Sequence, residues 1–150
     1  MARIAFQTAM RAAAVDLLTD YAAEIIEYEA RVKLQIYPGR PRSIHPPTAF
    51  VDGIRETITY TALHQRVPRA DVIVIHGLFD SKDATENKDA FVDGFIDWVI
   101  DRYHSAGANT LIAVTATEDI PDYVPDWLPP AEQRTYYATR IELEGLALSG

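Results

Sequence analysis

The chain contains no cysteine, which excludes disulfides, zinc–thiolate centres and thiol nucleophiles together. Its seven glycines are scattered and never gather into a phosphate-cradling loop. His45, His64, His76 and His104 stand far apart, and none has the H-E-x-x-H or facial-triad spacing of a metal site. Bases are scarce beside acids, 14 against 22 for a net charge of −8, which argues against a general nucleic-acid binder held by phosphate contacts. Lysine occurs only at Lys33, Lys82 and Lys88; arginine, the cation favoured at protein interfaces, supplies the rest. No apolar run approaches the roughly 20 residues that span a bilayer. The N-terminal MARIAFQTAMRAAA leads into an amphipathic pattern rather than an apolar signal core. The expectation is a soluble, unprocessed intracellular product without membrane contact or bound cofactor.

Core-forming side chains are plentiful. With 48% hydrophobic residues, eight tyrosines and two tryptophans among 150 residues, the composition is that of one domain covering 1–150. A chain of that size buries roughly 70% of its extended-state surface on folding. Met10, Ala14, Leu17, Leu18, Tyr21, Ile25 and Tyr28 recur at intervals of three and four, so the spacing predicts a helix from about Phe6 to Ala30. Asp16, Asp20, Glu24, Glu27 and Glu29 mark its solvated side, with Glu27 placed for a modest surface pair with Arg31. Lys33 to Tyr37 alternates as a short strand and is stopped by PGRPRSIHPP. Prolines at that density hold the backbone extended. Arg40 and Arg42 on so stiff a loop lose little entropy on docking, which makes it a candidate contact arm. Pairing of these arginines with the acidic excess is the competing reading.

Thr48 to Leu63 reads as a strand with Ile54, Ile58, Tyr60 and Ala62 on one face, Arg55, Thr57, Thr59 and Thr61 on the other, and Asp52-Gly53 as a bulge or tight turn. His64 to Arg69 breaks the pattern, with Pro68 as punctuation, before the apolar strand Ala70 to His76. So short a link makes the two strands antiparallel neighbours. A second helix follows Asp80-Ser81, with Phe91, Val92, Phe95, Trp98, Val99 and Tyr103 as its buried stripe and Gly107 as its stop. Leu111 to Thr117 is a further strand and residues 118–133 a proline-rich excursion. Thr135 to Leu148 closes the chain as a strand with Tyr137, Ile141 and Leu143 on one face and Arg140, Glu142 and Glu144 on the other. The order predicts an α+β domain, a mostly antiparallel or mixed β-sheet of about five strands packed with two main α-helices.

Residues 70–107 carry two functional readings. A buried strand ending in His76-Gly77 is how many α/β-hydrolases present backbone N–H groups to an oxyanion. That chemistry needs a nucleophile elbow, and no G-x-S-x-G is present. Ser81 and His104 stand at opposite ends of one helix, roughly 35 Å apart along it. No catalytic, cofactor or metal residue is therefore assigned. The same helix carries Asp89, Asp93, Asp97 and Asp101, like charges at a spacing that costs about 0.2–0.5 kcal/mol per pair. Such a ladder is a lumen wall, a docking strip for arginines of a neighbouring subunit, or a solvated face partly compensated by Lys88 and Arg102. Tyr123 and Trp127, flanked by Pro121, Pro125, Pro129 and Pro130, suit an interface anchor or a flap folded over the core.

The succession QTAMRAAAVDLLTDYA, IYPGRPRSI, AFVDGIRETITYTAL, DVIVIHGLFDSKDATENKDAFVDGFIDWVIDRYH and YYATRIELEGLAL resembles the tail terminator, or tail completion, proteins of long-tailed bacteriophages. The likeness covers nearly all of the chain and lies in element order and texture. It implies a structural virion subunit, not an enzyme, that forms a hexameric ring on the last ring of the tail tube, stops its growth and joins the tail to the head. The implied partners are further copies of the chain, the tail tube protein and the head connector or stopper protein, with DNA passing through the lumen unbound. The implied location is the head-proximal end of the tail, after synthesis in the host cytoplasm. Another head–tail connector or minor tail subunit is the neighbouring reading, and a small hydrolase-like enzyme the one from another class. On the ring reading, Arg40, Arg42, Tyr123, Trp127 and Arg140 are candidate interface residues. Asp89, Asp93, Asp97 and Asp101 are the candidate acidic lumen or docking surface. The excursion DIPDYVPDWLPP and the IHPP turn depart from the family pattern, and no family contact is carried over to them.

Overall fold

The computed structural model describes residues 2–28, 34–60, 64–80, 82–105, 113–145 and 148–149. Ala2–Tyr28 is helix α1, a segment without glycine or proline. Gln35–Tyr37 is β1, Thr48–Tyr60 β2, His64–Leu78 β3, Lys82–Ser105 α2, Ala113–Tyr123 β4, Tyr136–Glu144 β5 and Leu148–Ser149 β6, with a 3₁₀ turn at Pro130–Glu132. The strands form one six-stranded sheet in the order β1-β2-β3-β5-β4, with β6 beside β3. β1 runs parallel to β2 and every other pair is antiparallel. The α+β architecture of a mixed sheet with two helices is the one the sequence predicts.

The central strand, β3, is buried on both faces. Val72 and Val74 join the helix layer with Ala49, Val51, Ile141 and Leu143. Ile73 and Ile75 point the other way, into a second core with Ile44, Phe50, Leu128, Tyr136 and Ala138. Its apolar run is therefore continuous rather than alternating, as expected of a strand covered twice. Loops 38–47 and 124–135 supply the second cover through Ile44, Trp127 and Leu128.

The helices meet at Tyr21, whose ring packs edge-on against Phe91 and Phe95 at centroid distances of 5.3 and 5.1 Å. Its hydroxyl donates to the Phe91 carbonyl oxygen at 3.2 Å. A Cβ at Gly94 would fall 2.5 Å from that hydroxyl oxygen, so this mid-helix glycine is kept for close approach despite its cost of about 1 kcal/mol in propensity.

Several expected boundaries move. The segment His64 to Arg69 is strand rather than link, and Pro68 sits inside β3 opposite Glu56. A strand residue's N–H and C=O point to the same edge, and the Pro68 carbonyl accepts from the Gly145 N–H at 2.9 Å, just beyond the last β5 pair at Arg69. The missing donor thus falls where β5 has ended, and the ladder to β2 is intact. β4 runs on to Tyr123, past the expected end at Thr117, because a register shift between Ile120 and Tyr123 absorbs Pro121 while Ile120 and Tyr123 pack on the second core. The predicted closing strand is divided at Gly145 into β5 and β6. The bulge at Asp52 is where the sequence placed it. Ile58 and Tyr60, on the same face of β2 as Ile54, are 39% and 77% exposed, because the β2–β3 hairpin continues past the level at which β5 ends. Arg31, Ala62, Ser81, Gly107 and Leu111 lie outside the described residues, as does the side chain of His104.

Gly94→Ala is expected to destabilise the protein by about 1–3 kcal/mol in urea unfolding, although alanine is the better helix former. Removing the obstructing hydroxyl with Tyr21→Phe in the same chain should recover part of that loss. A double variant no more stable than Gly94→Ala alone would contradict the packing account.

A candidate assembly surface

Arg40 lies on the strap between β1 and β2. Its Nε donates to Asp52 Oδ1 at 3.0 Å, and its guanidinium sits 4.9 Å from the centroid of the Trp127 ring. Trp127 Nε1 donates to the Pro41 carbonyl oxygen at 2.8 Å, and its ring meets Phe50 edge-on at 5.3 Å. Tyr123 packs against the same indole at 6.4 Å. Burial, with Asp52 adding to it, pushes the Tyr123 phenol up to about 12. The two aromatic residues are thus the flap over the second core, and they fasten loop 124–135 to the strap. Arg42 stays exposed beside them.

One end of the sheet gathers this material. Tyr136, at the start of β5, lies between Leu78 at the end of β3 and Tyr123 at the end of β4. The Phe79 N–H donates to the Thr135 carbonyl oxygen at 3.2 Å. Leu78, Phe79 and Val124 are 45%, 57% and 44% exposed there. The opposite end carries the hairpin with Ile58 and Tyr60.

Arg140 belongs elsewhere, to a charged lattice on the open part of the loop-side face. Its Nη1 donates to Glu118 at 3.1 Å. Arg55 bridges Asp71 and Glu142, each at 3.0 Å, and Arg69 reaches Glu142 at 2.9 Å and Glu144 at 3.4 Å. The Thr115 hydroxyl, donating to Glu142 at 2.9 Å, is the largest cause holding that carboxyl below its usual range, and Arg55 and Arg69 add to it. Arg55, Asp71, Glu118, Arg140 and Glu142 line an open trough of about 460 Å³. The sequence reading missed this lattice. Its one sequence signal, the alternating charges Arg140, Glu142 and Glu144, acquires partners only once the register of four strands is known.

Asp89, Asp93, Asp97 and Asp101 all lie on the exposed side of α2. Lys88 ties Asp89 to β4, with Nζ 3.2 Å from Asp89 and 3.4 Å from Asp119. The ladder and the arginine strap therefore occupy opposite faces of one sheet and are not brought together within a chain. His76 occupies the register shift between Ile75 and Gly77, 3% exposed, with Nε2 2.9 Å from Thr139 Oγ1. Ala84 of α2 covers the following glycine, since a Cβ at Gly77 would lie 3.0 Å from the Ala84 Cβ. Burial, then the charge of Lys88, pushes the His76 imidazole from 6.5 down to about 4, against the pull of Asp119 and Asp89.

Among the described residues, no group of three or more His, Asp or Glu could hold a metal ion, and no helix is long and apolar enough to cross a membrane. No protein-family model matches the chain, and no curated protein matches it either.

Because the folded chain refuses a proton that the unfolded chain binds, His76 makes stability decline as pH falls from about 6.5 toward about 4 and adds no further slope below that. Urea midpoints followed across this window should show a shallower pH dependence in His76→Gln, whose amide stays neutral. Equal slopes in the two proteins would mean that other groups carry the effect.

Proposed function

We propose that this chain is a ring-forming structural subunit of the tail-terminator kind. Copies close into a ring, a hexamer on this reading, that caps the last ring of a phage tail tube, stops its growth and joins it to the head connector, while DNA passes through the lumen. The observation that carries the reading is the unlikeness of the two ends of the sheet. A cap between two different partners needs two different docking ends, and β3, with 15 residues, separates them by roughly 50 Å. One end presents Leu78, Phe79 and Val124 beside a strap on which Arg40 is held by Asp52 and Trp127. The other presents a long hairpin bearing Ile58 and Tyr60. Exposed apolar groups beside arginine are the composition of an interface core, and a strap already fixed to Trp127 and Asp52 loses little entropy on docking. The likeness in element order adds the partner class.

Electron microscopy of the purified chain mixed with tail tubes is the direct test. Terminal rings and arrested tube growth are the expected result; bare tubes that keep growing would refute the reading. Replacing Arg40 and Arg42 with glutamate breaks the exposed Arg40–Asp52 pair and the Trp127 contact and sets a carboxylate beside Asp52, changes worth about 1–2 kcal/mol at a solvated site. Far-UV circular dichroism should therefore stay unchanged while tube capping falls. Full capping by the double variant would remove the strap from the docking end.

A further inference from the structure

Resting on the ring reading, we infer that neighbouring copies join edge to edge, β2 of one subunit pairing antiparallel with β4 of the next. Among the described residues, β1 pairs with β2 only from Thr48 to Phe50, and β4 has a neighbour on one side alone. The outer edges of β2 beyond its bulge, 54–60, and of β4 between its two register shifts, at Val114/Ala116 and Ile120/Tyr123, are thus open. Strand polarity suits this pairing. β2 and β5 run one way, and β3 and β4 run the other. Glu118 is level with Ile73 on β3 and Arg55 with Arg69, so a ring axis inclined to the strands, whose tilt takes up this four-residue stagger, sets β4 antiparallel to the neighbour's β2 and extends the sheet without a break.

Charge selects this pairing over its alternatives. Joining β4 to a second β4 sets together two strands that each carry Glu118, Asp119 and Asp122 and no base, and like charges across a strand pair are destabilising. Joining β2 to a second β2 makes an isologous pair that saturates at two and cannot close a larger ring. In the mixed pair, Arg55 and Glu118, 55% and 62% exposed at their side chains and both on the loop-side face, can stand opposite each other. That register sets Thr57 opposite Ala116. The β2 shift at Val51/Gly53 and the two β4 shifts, with Pro121 in the second, then confine the contact to 54–57 against 116–119. All helices fall on one wall of the ring and all loops on the other, and the two strand ends stay free for tube and connector.

The absence of cysteine makes cross-linking clean. Within one chain Thr57 and Ala116 are three strand spacings apart across the sheet, about 14 Å, and four residues apart along it, too far for an internal disulfide. On oxidation the Thr57→Cys, Ala116→Cys double variant, with or without tail tubes, should give a ladder of covalent oligomers on a non-reducing gel. A mixture of the two single variants should give dimers, and neither single variant alone should cross-link. Self-linking of either single variant would overturn the inference in favour of an isologous edge. Rings seen by electron microscopy without cross-links would overturn it while leaving the ring reading intact. Neither rings nor cross-links would overturn both.

Discussion

Burial of β3 on both faces is the constraint from which the rest of this structure follows. Val72, Ile73, Val74 and Ile75 alternate between two cores and are at most 1% exposed. Side chains of this size contribute about 1.5–3 kcal/mol each when buried, so both faces need a cover. The described residues hold two α-helices, and both lie on one face. The second face is closed by loops, which must then behave as a layer of the fold.

That requirement accounts for the composition of the loops. A loop that roofs a core needs fixed backbone geometry and apolar side chains, and its polar groups need partners. Proline restricts the backbone, Ile44, Trp127 and Leu128 fill the space above Phe50 and Ile73, and short hydrogen bonds close the loops on themselves. Leu128 N–H donates to the Pro125 carbonyl oxygen at 3.2 Å, and Gln133 Nε2 to that of Leu128 at 2.8 Å. Stiffness that reads as a docking property in the sequence is therefore first a folding property. The two are compatible, because a loop held against its own core presents its outer side chains, Arg42 among them, without further ordering.

Local periodicity made the helices legible in sequence, since one face of each carries its apolar residues at intervals of three and four. β2, the bulge at Asp52 and the central apolar strand were legible for the same kind of reason. What stayed hidden depends on contacts remote in sequence. Pro68 and Pro121 read as breakers, yet each sits in a strand where the missing donor costs no ladder bond, a circumstance fixed by where β5 ends and where β4 bulges. The candidate site divides in the same way. The aspartate ladder was visible as spacing, whereas the partners of Arg40, Arg140 and Glu142 come from other strands and a distant loop, and no local pattern announces them.

The same contacts redistribute the charge of −8. On the loop-side face, carboxylates and arginines alternate in space, so Glu142, Glu144, Asp71 and Glu118 are each within 3.4 Å of a guanidinium nitrogen. That face is close to self-neutral and projects little field. The helix side differs. Asp93 and Asp97 stand exposed on α2, and Asp16 and Asp20 on α1, so the acidic excess is concentrated on one wall of the molecule. Exposed like charges repel weakly at separations near the ~8 Å Debye length of physiological salt, which explains why the ladder is compatible with a stable helix. A wall of one sign also repels any polyanion drawn past it over a similar range. Ladder and lattice are thus two arrangements of carboxylates, interleaved with arginines where the sheet face is open and strung along an exposed helix face where α2 turns outward.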